Sequence, residues 1–452
     1  MSRFLVTCWP FVGHLYPQMS VAHALRDRGH DVAFYSHESA RAVVEGEGFT
    51  LFPFVHVDEQ RYERIHALMA RVPATQPMHR TLSVALRAYR EMLADSIPEQ
   101  MADLQPIVGR WRPDVIITDL ALWGPILVLW EVTGIPVALS STMMGSGIPG
   151  PDAPPWGPGL PSPRTFGTRL LARATQLGVD VVAHSMRRRV NRIRARYGLG
   201  PMGCSVNAFT GRLPLYLIPS LPELDYHRRD QPPTVHYIGP CVWTKSARAA
   251  PPAWLNELPT DRPWVHATEG TAQYQEPFLL RATAQGLAGQ PVEVILTTGQ
   301  SRDPAILGLD PLPANVRVEP WVSHEDLLPR CAALVTTGGP ATVIASLKAG
   351  VPLLMVPTFW EKSDNAQRVV EAGVGLRLAP RHCTPDRVRA AVMRLLHEPI
   401  FRQNARRVAR RLAEVPGPPL AAELLEKLAR EAPTSGDGLN APSSGRPSPL
   451  SP

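Results

Sequence analysis

Twice along this 452-residue chain, a short apolar run is followed by a loop, then a helix-patterned stretch, then another apolar run. In the first half the runs are 3–8, Val32-Ala33-Phe34-Tyr35, Val115-Ile116-Ile117-Thr118 and Pro136-Val137-Ala138-Leu139. In the second they are Trp264-Val265-His266-Ala267, 292–296, 316–318, 333–336 and 353–356. Strands alternating with helices cannot be joined by hairpins, so they predict parallel sheets with helices on both faces. The rhythm predicts two doubly wound α/β domains in tandem, Rossmann-like in build, facing one another across a cleft. In such sheets, ligands bind beyond the carboxyl ends of the strands. The predicted helices are 18–28, about 122–132, 165–196, 275–287, 341–349, 363–372, 384–396 and 400–413.

The domain boundaries expected from this pattern are 1–218 for the first lobe and 263–412 for the second. Residues 219–262, rich in Pro and polar residues, read as the linker. Residues 145–164 are packed with Pro and Gly, which marks a functional lid or a disordered loop. The Ser/Pro/Gly-rich residues 432–452 read as a disordered tail.

Composition removes several classes of function. Apolar residues make up 44% and charged residues 19%, as in ordinary globular proteins. No apolar run approaches the ~20 residues of a membrane span, so membrane insertion is not expected. The start of the chain, Phe4-Leu5-Val6-Thr7-Cys8, is strand-like and reads as no signal peptide. The five scattered cysteines contain no CxxC pair, which argues against a zinc site or disulfide framework and suits a reducing cytoplasm. The net charge of +7 comes almost wholly from Arg, with Lys at 245, 348, 362 and 427 alone. Its Arg clusters sit on helical patterns without interleaved aromatics, so nucleic acid is not an expected partner. A diffuse positive field would still steer an anionic nucleotide.

Five constellations carry candidate chemistry. Gly13-His14-Leu15-Tyr16-Pro17 follows the first strand and opens a helix, so His14 projects from the carboxyl end of the sheet. Imidazole titrates near neutrality and is suited to remove a proton from a hydroxyl. Asp119 directly follows strand 115–118; it either holds that imidazole or caps the next helix, and the residues alone leave both open. Val335-Thr336-Thr337-Gly338-Gly339-Pro340-Ala341-Thr342 is a strand–loop–helix, neither GxGxxG nor GxxxxGK(S/T), whose two glycines either admit a phosphate to the helix start or form an ordinary turn. Trp321 and the Val322 backbone lie after a strand, where an indole either stacks a base or packs in a core. Glu361 and Lys362 cluster after strand 353–356, where Glu361 either accepts bonds from sugar hydroxyls or belongs to the start of the next helix.

Taken together, these residues resemble the GT-B fold family of nucleotide-sugar-dependent glycosyltransferases, most closely the bacterial enzymes that decorate macrolides and other natural products. The resemblance covers nearly the whole chain and is strongest at 3–36 and 316–412. Its most specific stretch is Leu334-Val335-Thr336-Thr337-Gly338-Gly339…Thr342-Val343…Ala349-Gly350-Val351-Pro352, followed by Asn365-Ala366-Gln367-Arg368-Val369.

The resemblance implies that His14 is the base and Asp119 its partner. Trp321 would stack on the donor base. Thr337, Gly338, Gly339 and Thr342 would hold the diphosphate, with Thr271 nearby, and Glu361 and Lys362 would grip the sugar. A C-terminal helix within 413–431 would cross back onto the first lobe. Three positions depart from the family pattern: Thr337 stands where a phosphate-contacting His is usual, Lys362 where Gln is usual, and Ala345 where many members have a ribose-gripping carboxylate. The last fits a deoxyribose donor such as a dTDP-sugar.

The resulting expectation is an inverting hexosyltransferase that uses a dTDP- or UDP-sugar, needs no metal or other cofactor, and glycosylates a hydroxyl of a small lipophilic acceptor. Phe11, Leu15, Trp123, Met143, Met144 and Trp156 are the candidate acceptor contacts, although core packing is the commoner fate of such residues. A homodimer is compatible with the sequence. The competing readings are a non-catalytic scaffold that assists another enzyme and a nucleotide-sugar epimerase.

Overall fold

The computed structural model describes every residue except 59, 62, 63, 66, 68–83, 85, 244–249, 271–275, 300, 301, 359 and 432–452. The first lobe is a seven-stranded parallel sheet of β1 (Arg3–Thr7), β2 (Asp31–Ser36), β3 (Thr50–Pro53), β4 (Val115–Thr118), β5 (Val137–Ser140), β6 (Leu215–Ile218) and β7 (Val235–Tyr237), in the order β3-β2-β1-β4-β5-β6-β7. The second lobe is a six-stranded parallel sheet of β8 (Trp264–Thr268), β9 (Glu293–Thr297), β10 (Val316–Glu319), β11 (Cys331–Thr336), β12 (Leu353–Met355) and β13 (Gly375–Arg377), ordered β10-β9-β8-β11-β12-β13.

Both sheets are covered on both faces, which is why their strands are continuous apolar runs. Successive side chains go to opposite cores. Leu5 packs on one side of the first sheet, while Phe4 and Val6 pack on the other. In the second sheet Leu334 and its neighbours Ala333 and Val335 divide in the same way.

Strand order reverses between β1 and β4 in the first lobe and between β8 and β11 in the second. In register, Thr7 lies beside Thr118 and Thr336 beside Thr268, so each pair of central strands ends together. These are the switch points where a crevice opens in a doubly wound sheet.

The segment read as a linker belongs partly to the first lobe. Strand β7 falls inside 219–262 and pairs with β6 as the seventh strand. With three half-buried residues, it is too short to show a period in sequence. The helix Pro399–Glu414 ends the second lobe, and a separate helix, Pro418–Glu431, returns to the first. Its Ala421, Ala422 and Leu425 complete the core under β1, while Arg28 and His30 hold Glu426 at 2.6 and 2.8 Å. The chain crosses at Gly417, where a Cβ would lie 2.4 Å from the Pro240 carbonyl oxygen and φ is +69°. Only glycine tolerates both.

The other predicted helices are present with small shifts at their ends, among them Phe166–Arg196, Pro340–Lys348 and Lys362–Glu371. Residues 122–132 differ, being a π-turn over Pro125–Leu129 that continues as α-helix Trp130–Thr133. No helix among the described residues is long and apolar enough to cross a membrane.

Candidate active site

His14 enters on the first turn of helix Val12–Asp27, just beyond β1, and Asp119 on the residue after β4. Because β1 and β4 end together, the two side chains meet: His14 Nδ1 donates to Asp119 Oδ2 at 3.0 Å. The other carboxylate oxygen of Asp119 accepts from the Ala121 amide at 2.6 Å, so one side chain serves both the imidazole and the local turn. Asp119 is fully buried, whereas 28% of the His14 side chain remains open to solvent. With Nδ1–H given to the carboxylate, Nε2 carries the lone pair that a base needs.

Burial alone would push the His14 imidazole down. The Asp119 carboxylate, and beyond it Glu361, outweigh burial and hold it above its ordinary value. Glu361 belongs to the second lobe, so His14 senses a charge from across the crevice. A base of raised pKa is lost as pH falls through that pKa. If His14 is the base, Asp119→Asn should move the acid limb of the kcat/KM profile to lower pH and reduce kcat. An unmoved limb would show that another group is titrating.

Opposite, the turn after β11 is shaped by its glycines. Gly338 has φ of +95°, and a Cβ there would lie 2.6 Å from Met355 Cε. Gly339 caps helix Pro340–Lys348, and a Cβ on it would meet nothing within 4 Å. That helix start therefore faces open space with first-turn amides that have no helical partner. Thr342 is half-buried on its first turn. Thr337 is buried, donating to the Glu269 carbonyl at 3.0 Å and receiving Lys362 Nζ at 3.3 Å. Lys362 also donates to Thr358 at 3.2 Å. Burial pulls its ammonium down to about 8, against the opposing pull of Glu361 and Glu269. Burial likewise pushes the Glu361 carboxyl up, opposed by Lys362 and His14.

The remaining sequence candidates divide. Trp321 is 57% exposed, so it is no core residue, while neighbouring Val322 is buried. Phe11 meets the His14 ring edge-on at 5.7 Å. Met143 and Trp156 converge on Gly147, where a Cβ would come within 3.3 and 3.5 Å of them. Leu15 and Trp123 are packed in the cores of the first lobe, whereas Met144 is buried against the core of the second. Thr271 lies outside the described residues, as does the tail 432–452.

Several contacts that build the site were not read from the sequence, although Asn365 and Arg368 lie in the stretch that carries the resemblance. Asn365 donates to the Gly338 carbonyl at 3.1 Å and so fixes the glycine turn; its Oδ1 is buried with no hydrogen-bond partner among the described residues. Tyr89 and Trp360, from opposite lobes, meet with ring centroids 4.4 Å apart. The Pro/Gly-rich 145–164 stretch is latched to helix Lys362–Glu371. Asp364 accepts the amides of Gly157 and Gly159 at 2.6 and 2.7 Å, and Glu371 accepts the Ser162 amide at 2.7 Å. On the same helix, Arg368 donates to Asp225 at 2.8 Å in an ion pair whose side chains are 5% and 1% exposed. Apart from Asn365 and Gly338, 27 residues apart, these partners lie about 140–270 residues apart along the chain, which leaves no local pattern to read.

The chain is similar to known proteins along most of its length. Residues 284–428 match the family model of the erythromycin biosynthesis protein CIII-like C-terminal domain. The 4'-demethylrebeccamycin synthase of Lentzea aerocolonigenes is 35% identical over 412 residues, covering 90% of this chain and 94% of that protein. A PGL/p-HBAD biosynthesis glycosyltransferase of Mycobacterium tuberculosis (strain ATCC 25177 / H37Ra) is 30% identical over 408 residues, covering 84% and 90%. Among solved structures, the glycosyltransferase VinC in complex with dTDP superposes with a TM-score of 0.65 at 23% identity, over 95% of this chain and 99% of VinC. With a relative at this identity along nearly its whole length, and with two facing parallel-sheet lobes, the chain belongs to the natural-product glycosyltransferase family and has the GT-B fold.

Proposed function

We propose that the protein transfers a hexose from a dTDP- or UDP-sugar to a hydroxyl of a small lipophilic natural product, by single displacement and without a metal. The observation that carries this reading is the His14–Asp119 pair at one switch point, electrostatically coupled to Glu361 beside the glycine turn at the other.

His14 Nε2 takes the proton of the acceptor hydroxyl as its oxygen attacks the anomeric carbon. The bond from that carbon to the diphosphate oxygen breaks, and the nucleoside diphosphate leaves with the electron pair. Asp119 stabilises the imidazolium. The first-turn amides of helix Pro340–Lys348, the hydroxyl of Thr342 and the Lys362 ammonium receive the charge that develops on the leaving group. Thr337 acts through Lys362, whose nitrogen it accepts. Lys362 supplies the positive charge that a divalent ion would otherwise bring, which supports the metal-free reading. One displacement inverts the anomeric centre.

Trp321, being exposed beside the buried Val322, suits a stacking platform for the base. Glu361 suits the sugar hydroxyls. Ala345, half-buried on helix Pro340–Lys348, offers no carboxylate to a ribose 2′-hydroxyl, and the dTDP bound by VinC agrees with a deoxyribose donor. Phe11, Met143 and Trp156 line the acceptor side. Neither the scaffold nor the epimerase reading has an observation in its favour.

Incubation with dTDP- or UDP-glucose and a panel of macrolide and aromatic acceptors tests the reading, with mass spectrometry detecting one added hexose. Transfer undiminished by EDTA, with an inverted linkage and dTDP preferred, is the expected result. No transfer from either donor, or dependence on a divalent ion, would contradict it.

Lys362 makes a separate prediction. Donor affinity should weaken from pH 7 to 9 as its ammonium deprotonates near 8. Lys362→Met should remove that pH dependence and weaken nucleoside diphosphate binding by roughly tenfold or more, as expected for a charge-assisted bond. Calorimetric titration measures both.

A further inference from the structure

Trp360 has a left-handed backbone, with φ of 60°. Among the described residues, the other non-glycine of this kind is Arg112, which closes helix Ile97–Trp111, a common place for such a residue. A bulky side chain in this conformation is strained unless its surroundings hold it there. For Trp360 the surroundings are the other lobe. Its ring lies 4.4 Å from that of Tyr89, inclined by 56°, and packs on the core of the first lobe. Tyr89 in turn meets Trp156 of the 145–164 strap edge-on at 6.1 Å. Three aromatic rings from three separate segments therefore meet at the crevice.

The next residue in the chain is Glu361. Its charge reaches His14, Tyr89, Lys362 and Arg368, and Asp364 lies close enough to act on both Glu361 and Tyr89. A change of φ at 360 would swing the adjoining Glu361 carboxyl away from His14, while Lys362 stays tied to Thr337 and Thr358. The ring contact and the placement of the carboxylate are thus parts of one loop conformation.

We propose that Trp360 is a positioning residue whose ring, lodged against Tyr89, holds the loop in the turn that presents Glu361 to the reacting groups beside His14. The lobe that carries the base thereby assembles part of the sugar site on the other lobe, and the site is complete when the lobes are together. This rests on the glycosyl-transfer reading above.

Trp360→Gly separates ring from backbone, because glycine accepts the left-handed turn without strain. It is compared with Trp360→Phe, Tyr89→Ala and Tyr89→Phe. Trp360→Gly and Tyr89→Ala should each lower kcat by about 10- to 100-fold, the scale of a misplaced reacting group. Binding of dTDP should weaken far less than kcat falls, since the base and the helix-start amides are held by other loops and Lys362 keeps its own bonds to Thr337 and Thr358. Both phenylalanine variants should keep most of kcat. The acid limb of the pH–rate profile should move down in Trp360→Gly, because His14 then faces Asp119 without Glu361 beside it.

A Trp360→Gly enzyme with parental kcat would overturn the proposal, as would a Tyr89→Ala enzyme with parental kcat if the glycine variant does not fold. Equal loss of dTDP affinity and kcat would also overturn it, by showing a general structural role. Parental protein that transfers no sugar would sink the functional reading itself and this inference with it, a distinguishable outcome.

Discussion

Replacing His14 with Ala should lower kcat by about 10²- to 10⁴-fold, the usual contribution of a positioned general base. Nucleoside diphosphate affinity should stay within about twofold of the parent. The split follows from the architecture. The imidazole and its Asp119 partner stand on the first lobe at the ends of β1 and β4, while the glycine turn, Lys362 and the helix start stand on the second. Removing the imidazole takes the proton acceptor away and touches none of the groups proposed to hold the donor. Steady-state kinetics with calorimetric titration of dTDP or UDP measures both quantities. If kcat were unchanged, another group would be the base. If affinity collapsed along with kcat, His14 would be holding the nucleotide.

The second large effect concerns stability. Arg368→Met leaves Asp225 buried without its cation, and such broken buried pairs lose about 3–5 kcal/mol. At roughly 2–4 °C per kcal/mol for domains of this size, Tm should fall on the order of 10 °C. The loss has a definite structural setting. Asp225 also accepts from the Ser146 amide at 3.0 Å and the Tyr237 hydroxyl at 2.6 Å, and Arg368 lies over the Tyr226 ring at 4.7 Å. A Cβ on Gly145 would lie 2.4 Å from the Asp225 carboxylate, so the backbone packs directly on the charge. The pair therefore ties the 145–164 strap, β7 and helix Lys362–Glu371 into one unit. Adding Asp225→Asn to Arg368→Met should restore much of the loss, because the uncompensated charge is then gone. Differential scanning calorimetry reads the result. A Tm change within a degree or two in the single variant would mean that the crevice is wet enough to solvate Asp225.

What could be read from the sequence was what is local. Runs such as Val115–Thr118 and Ala333–Thr336 are buried on both faces and therefore continuously apolar, and the residues after them are set by the strand ends. The strand ends put His14, Asp119 and the Gly338-Gly339 turn at the carboxyl edges of the two sheets; that these edges are switch points follows from the strand order alone. Pairings across the chain were not legible. Nothing near residue 89 announces residue 360, and nothing near 225 announces 368. The Pro/Gly content of 145–164 marked a segment without regular structure but not its latch, because Asp364 and Glu371 read as ordinary helix residues. The apolar candidates show the same limit in reverse. Leu15, Trp123 and Met144 carry the same letters as crevice residues, and only three-dimensional packing assigns them to the cores. Trp321 went the other way, being exposed where an aromatic is more often buried. Strand β7 was lost to its length and to the Pro232-Pro233 pair before it.

Catalysis as proposed needs a base on one lobe opposite a diphosphate cradle on the other. A crystal structure of the protein with bound dTDP tests it most directly. The nucleobase should lie on Trp321, the diphosphate within hydrogen-bonding distance, about 2.7–3.2 Å, of the first amides of helix Pro340–Lys348 and of Lys362, and the terminal phosphate should be directed at His14. Nucleotide bound away from the 338–342 turn, or with its terminal phosphate directed away from His14, would contradict it.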